Sequence, residues 1–87
     1  MEDSIENSLQ VSPDVNNPSI PRLYTNWVVG GHSFSDVFLL LSTNGNPTLV
    51  VNMPPMIAKK LHSLLGDIIT GYEAKIGEIK TIEDAKL

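Results

Sequence analysis

The chain has no cysteine, which removes a disulfide framework, a thiol nucleophile and any cysteine-ligated zinc site. It also lacks a long apolar run. The longest, Val37 to Leu41, is five residues, where a membrane-spanning helix needs about 20, so no membrane partner is expected. Positive charge is missing from the first 20 residues, which hold Glu2, Asp3, Glu6 and Asp14 but neither Lys nor Arg. The basic region and apolar stretch of a secretory signal are therefore not found there. No G-x-x-x-x-G-K-[ST] loop is present to cradle a phosphate. These gaps make a cytoplasmic protein the expectation, and 87 residues suffice for one small domain but not for two.

What charge there is lies unevenly. Residues 1–20 carry −4, while the remaining six acids (Asp36, Asp67, Glu73, Glu78, Glu83, Asp84) balance six bases (Arg22, Lys59, Lys60, Lys75, Lys80, Lys86). The leading segment is also rich in Ser and Asn, and Pro13, Pro18 and Pro21 interrupt it. Such a stretch cannot bury enough apolar surface to offset its ordering entropy. Residues 1–20 thus read as a disordered acidic arm, 21–79 as a single α+β domain and 80–87 as a frayed tail.

Within the domain the apolar period is first 2 and then 3.6. Leu23, Thr25, Trp27 and Val29 share one face of a first strand, with Tyr24, Asn26 and Val28 on the other. Gly30-Gly31-His32-Ser33 reads as the hairpin connection or a bulge. A second strand spans about Phe34 to Ser42, apolar on both faces: Val37, Leu39 and Leu41 on one, Phe34, Phe38 and Leu40 on the other. Asn44-Gly45 in Thr43-Asn44-Gly45-Asn46-Pro47 is a strong turn signal, and Pro47 is unsuited to a central ladder. Thr48 to Met53 makes a third strand, and short connections favour an antiparallel meander.

Met53-Pro54-Pro55 marks the change of period, because proline drives its predecessor to extended geometry and suits the first helical position. Ile57, Leu61, Leu64, Leu65, Ile68, Tyr72 and Ile76 then recur at spacings of 3 and 4, one stripe of a long amphipathic helix. Gly77 stands where a left-handed C-cap is expected. Gly66 and Gly71 inside the helix admit two readings, close approach of another backbone or simple tolerance. One helix can cover one face of a three-stranded sheet, and about 60 ordered residues without staples is a size that usually needs support. A homo-dimer or higher homo-oligomer follows, with Trp27, Phe38, Leu40 and Tyr72 as candidate interface residues.

Tyr24-Thr25-Asn26, His32-Ser33, the Asp36 to Leu41 strand, Met53-x-Pro55, Ala58-Lys59-Lys60-Leu61, Tyr72-Glu73 and Gly77 together resemble a small bacterial family, the domain of unknown function 3467. Its pattern reads Y-x-N, H-S or H-T, E-F-V-L-D-F, M-[ST]-P-x-x-A-K-R-L and Y-E-x-x-F-G. The resemblance covers Arg22 to Ile79. Three positions depart from it: Pro54 replaces the helix-capping Ser or Thr, Leu40 an acid, and Ile76 an aromatic. The resemblance implies the fold, a bacterial origin and self-association, and it brings no activity.

Candidate chemistry is thin. His32, Ser33 and Asp36 crowd one turn, but a catalytic triad needs side chains converging from separate elements. Polar turn residues more often satisfy turn backbone. His32 and His62 have no H-x-x-x-H spacing and no cysteine to help hold a metal. No catalytic residue, metal ligand or cofactor is therefore expected, and the chain is not read as an enzyme. Arg22, Lys59, Lys60 and His32 are the candidate partner contacts. Direct nucleic-acid binding would need a basic stripe, which a neutral domain supplies poorly. The sequence thus favours a non-catalytic, oligomeric protein-interaction module with an unknown protein partner. The alternative is a transcription-associated or nucleic-acid-binding accessory protein, and a small chaperone with an apolar groove is a third possibility.

Overall fold

A computed structural model describes residues 13–82. Alternating apolar residues build β1 (Trp27–His32), β2 (Val37–Thr43) and β3 (Asn46–Met53), antiparallel in the order β1-β2-β3, and one helix follows, α1 (Pro55–Lys75). The expected α+β meander with one long C-terminal helix is the observed fold. Asn44 (φ 53°) and Gly45 (φ 86°) both take positive φ, the two-residue hairpin geometry whose twist matches the flanking strands.

Four strand boundaries differ from the sequence expectation: both ends of β1 and the starts of β2 and β3. Gly30 and Gly31 do not form the connection. They pair with Leu39 and Phe38 inside β1, and the turn lies at Ser33–Asp36, closed by Ser33 N donating to Asp36 O at 2.8 Å. The reason lies across the ladder. A Cβ on Gly31 would meet Phe38 Cζ at 2.8 Å, and one on Gly30 would meet the Phe38 carbonyl oxygen at 2.8 Å. The Phe38 ring thus occupies the space that a β1 side chain would need, a cross-strand pairing known to support strand glycines.

Leu23 to Asn26 fall outside the ladder, because Trp27 already pairs with Ser42 and the hairpin turn follows at Asn44. Too little of the partner strand is left for them. At the other hairpin arm, β3 starts earlier than expected. Pro47 pairs with Ser42 beside an irregularity at Leu41/Ser42, an arrangement that an edge strand tolerates and a central one does not.

Helix α1 opens as the sequence implies. Pro54 is the N-cap in extended geometry (ψ 153°) with no side-chain cap, and Pro55 begins the helix. The Pro54 carbonyl accepts from both Ile57 N (3.0 Å) and Ala58 N (3.1 Å). The helix ends at Ile76, and Gly77 follows at φ 138°, a backbone state open to glycine. Added Cβ atoms at Gly66 and Gly71 would meet nothing within 4 Å, so no other described part of the chain approaches them closely.

Residues 1–12 of the acidic arm and 83–87 of the tail lie outside the described residues. Residues Pro13–Asn16 form a short 3-10 turn, followed by exposed chain in which Ser19 N donates to Asn17 Oδ1 at 2.9 Å.

The helix meets the sheet mainly through β3. Ala58, Leu61 and Leu64 in its first half are half-buried. From Leu65 onward every large apolar side chain (Leu65, Ile68, Ile69, Tyr72, Ile76) is at least 41% exposed. Among the described residues Met53 is the sole buried hydrophobic side chain, and Ser42 the sole buried polar one.

Candidate functional site

Pairing register sorts the sheet into two faces, since directly opposed residues point to the same side. One face carries Val28, Leu41 and Leu49, then Leu39 and Val51, then His32, Val37 and Met53. The other carries Trp27 and Ser42, then Val29, Leu40 and Val50, then Gly31, Phe38 and Asn52. Met53, the buried residue next to the start of α1, belongs to the first face. Three of the four candidate interface residues, Trp27, Phe38 and Leu40, therefore come together on the second face. Trp27 is half exposed, Phe38 is 37% exposed and Leu40 is half-buried. Tyr72 lies in the last turns of α1, half exposed rather than packed in a core.

No charged residue occurs in any of the three strands: Trp27–His32, Val37–Thr43 and Asn46–Met53 contain neither Asp, Glu, Lys nor Arg. A surface strand usually carries charge, most of all at a sheet edge, to discourage pairing with other chains. An apolar sheet without charge on either face or edge is the composition of an interior surface.

The histidine-serine turn does local work. Ser33 Oγ accepts from Ser35 N (3.2 Å) and Asp36 N (3.1 Å), and His32 Nδ1–H donates to the Ser33 carbonyl at 3.1 Å. Both side chains thus satisfy turn backbone, as their position implies. His32 and Asp36 border a shallow depression with Ser33, Phe34, Val37 and Pro55, and Ser33 Oγ is engaged by backbone rather than by His32. Among the described residues no group of three or more His, Asp or Glu could hold a metal ion.

The basic candidates do not gather in one place. Arg22 precedes β1 at the Asn44–Gly45 end of the sheet, where its guanidinium donates to the Val15 carbonyl. Lys59 and Lys60 are exposed in the opening turns of α1, which leaves the sheet at the opposite end beside the Val37–Met53 pair. A strand of six residues puts about 20 Å between those ends.

Two polar devices escape a local reading of the sequence. At the hairpin end, Asn26 and Asn44 bond reciprocally, Asn26 Nδ2 to Asn44 Oδ1 and Asn44 N to Asn26 Oδ1, both at 3.0 Å. Thr25 Oγ1 donates to Ser42 O at 2.7 Å, Thr48 Oγ1 to Leu41 O at 2.9 Å, and Thr43 Oγ1 to Tyr24 O. At the helix end, Glu73 is half-buried and accepts from Ile79 N at 2.9 Å, tying down the chain that turns back after Gly77. The signal for the second was a carboxylate four residues before a glycine; for the first there was none, because the bonds that tie Tyr24, Thr25 and Asn26 to the hairpin join partners 17–19 residues apart.

No protein-family model, curated protein or solved structure matches the chain. Among the described residues no helix is long and apolar enough to cross a membrane.

Proposed function

We propose that this chain is a non-catalytic protein-interaction module that completes its fold by associating with itself. The supporting observation is the exposure of apolar side chains on both layers: Trp27, Val29, Phe38 and Val50 on the sheet, and Leu65, Ile68, Ile69, Tyr72 and Ile76 on the helix. Exposed apolar patches beyond a few hundred Å² mark interaction sites, and a fold in which Met53 is the sole buried hydrophobic side chain among the described residues has little to offset its ordering entropy. Association supplies the missing burial. The wider reading, supported by the sequence resemblance to the domain of unknown function 3467, is a cysteine-free oligomeric scaffold in a bacterial cytoplasm, with His32, Lys59 and Lys60 exposed for a further protein partner.

Thermal unfolding across a hundredfold range of protein concentration tests this reading. Folding linked to association makes the midpoint rise with concentration; a sharp transition at one temperature throughout the range would refute it.

A further inference from the structure

We infer that Asn44 is a site of covalent modification by spontaneous deamidation, and that the paired amides of Asn26 and Asn44 set its rate by holding the hairpin turn shut. The inference stands apart from the self-association proposed above.

An asparagine followed by glycine is where a chain most readily attacks its own side chain, because glycine has no Cβ to hinder its nitrogen. Of the seven asparagines, Asn44 alone precedes a glycine, while Asn17 and Asn46 precede prolines, which have no N–H to lose. In the reaction Gly45 N gives up its proton and bonds to Asn44 Cγ. The bond from Cγ to Nδ2 breaks, ammonia leaves with that proton, and a succinimide ring remains. Water then opens the ring at one of its two carbonyl carbons. Opening at Cγ leaves an aspartate at position 44; opening at the Asn44 main-chain carbonyl leaves an isoaspartate, whose main chain runs through the side chain.

Asn44 and Gly45 are both exposed in a two-residue loop beyond the last rung of the ladder, Thr43 with Asn46. Water therefore reaches both, and the Gly45 amide lies outside the ladder. The closed turn nonetheless opposes the attack. A φ of 53° at Asn44 and of 86° at Gly45 belong to the mirror image of a type I turn, whose first central residue has ψ of about +30°. Cβ and Gly45 N then lie on nearly opposite sides of the Asn44 Cα–C bond, whereas ring closure needs them eclipsed. The turn must open first.

Asn26 ties that turn from outside the loop. Its Nδ2 donates to Asn44 Oδ1, and Asn44 N donates to its Oδ1, both at 3.0 Å. One bond holds the side chain whose Cγ must move; the other holds the main chain whose ψ must turn. Asn26 is itself anchored, its own N donating to Ser42 O at 3.1 Å. Exposed turns open at little cost, so two bonds to a fixed neighbour change how often this one does. The products differ in consequence. An aspartate at position 44 keeps an acceptor for Asn26 Nδ2, whereas an isoaspartate lengthens the main chain of a loop that sets the hairpin register.

The test uses the full chain, warmed at neutral pH either folded or in concentrated urea, with each asparagine followed by peptide mapping and mass spectrometry. In urea, Asn44 is expected to convert ahead of every other asparagine, to both aspartate and isoaspartate; a different leading site overturns the assignment. In the folded chain the Asn44 rate is expected to be at least about tenfold lower, and equal rates in the two states overturn the protection. Asn26→Ala, and Asn26→Asp, which keeps the acceptor for Asn44 N, are expected to speed the folded-state reaction at least about threefold with an unchanged circular dichroism spectrum. An unchanged rate in both overturns the role of Asn26. Hydrogen exchange on the wild type adds a readout that needs no variant. Slower exchange at Asn44 N than at Gly45 N is expected, and equally fast exchange at the two overturns the clasp.

Discussion

The two ends of this molecule are held on different terms. Around Asn44–Gly45 the chain is fastened by side chains that bond backbone, Thr25 and Asn26 from before β1, Thr43 at the end of β2 and Thr48 from β3, while Asn44 Oδ1 accepts from the Asn26 side-chain amide. There the polar groups find partners inside one chain, and positive φ at both turn residues sets the register. Along the second half of α1 the reverse holds. Leu65, Ile68, Ile69, Tyr72 and Ile76 form a stripe as regular as any core-facing helix, and among the described residues each stays at least 41% exposed. Directional bonds complete one end; the other, apart from the Ile79 N to Glu73 bond, presents mainly non-directional apolar surface, which is satisfied by burial against whatever fits. A hairpin can finish itself, whereas a two-layer core needs its second layer.

That contrast can be broken most forcefully at Leu40, half-buried at the centre of the second face. Leu40→Asp places a carboxylate where association would bury it, at a cost of about 3 kcal/mol or more, and over a hundredfold weaker association is expected by analytical ultracentrifugation. An unchanged dissociation constant would remove that face from the interface. Gly30→Val comes next. Its Cβ would meet backbone, the Phe38 carbonyl, at 2.8 Å, and a loss of about 2–3 kcal/mol is expected in urea unfolding. Gly31→Val should cost less, since its neighbour is the movable Phe38 ring.

The hairpin end is probed by Gly45→Ala. At φ 86° with open space around it, the change costs backbone strain alone, about 1–2 kcal/mol. Smaller still, Ser33→Ala removes one acceptor serving two turn amides. About 0.5–1 kcal/mol should be lost with the oligomeric state unchanged, which a shift in mass would contradict. The finest test lies at Gly66 and Gly71. With nothing within 4 Å of an added Cβ in one chain, alanine should raise helix stability by about 1 kcal/mol at each. A weakened dimer at either position would instead place the partner's backbone there.

Much of this architecture is legible in the residues, and the illegible parts share a cause. Asn44-Gly45, Pro54-Pro55 and Gly77 act through their own backbone preferences, so the hairpin, the switch to helix and its stop are readable from neighbours alone. Ser33 and His32 bond within their own turn and are readable for the same reason. The glycines of β1 mislead because glycine normally punctuates; here the ring that fills their space arrives from Phe38 across the ladder. Leu23 to Asn26 alternate like a strand, yet pairing is decided by how much of β2 remains opposite them. The candidate interface is half legible. The strand period puts Phe38 and Leu40 on one face, while the addition of Trp27 to it depends on a register that no local pattern encodes. The scattering of Arg22 from Lys59 and Lys60 is a matter of topology, since it depends on which end of the sheet the chain enters and leaves.

The most direct measurement is the solution mass of the full chain by light scattering coupled to size exclusion, over a dilution series, with circular dichroism on the same samples. A species near twice 9.5 kDa is expected to persist at high concentration, with helical signal and dimer lost together on dilution. A 9.5 kDa particle that keeps its helical signal and unfolds cooperatively at every concentration would contradict the claim that one copy alone is incomplete.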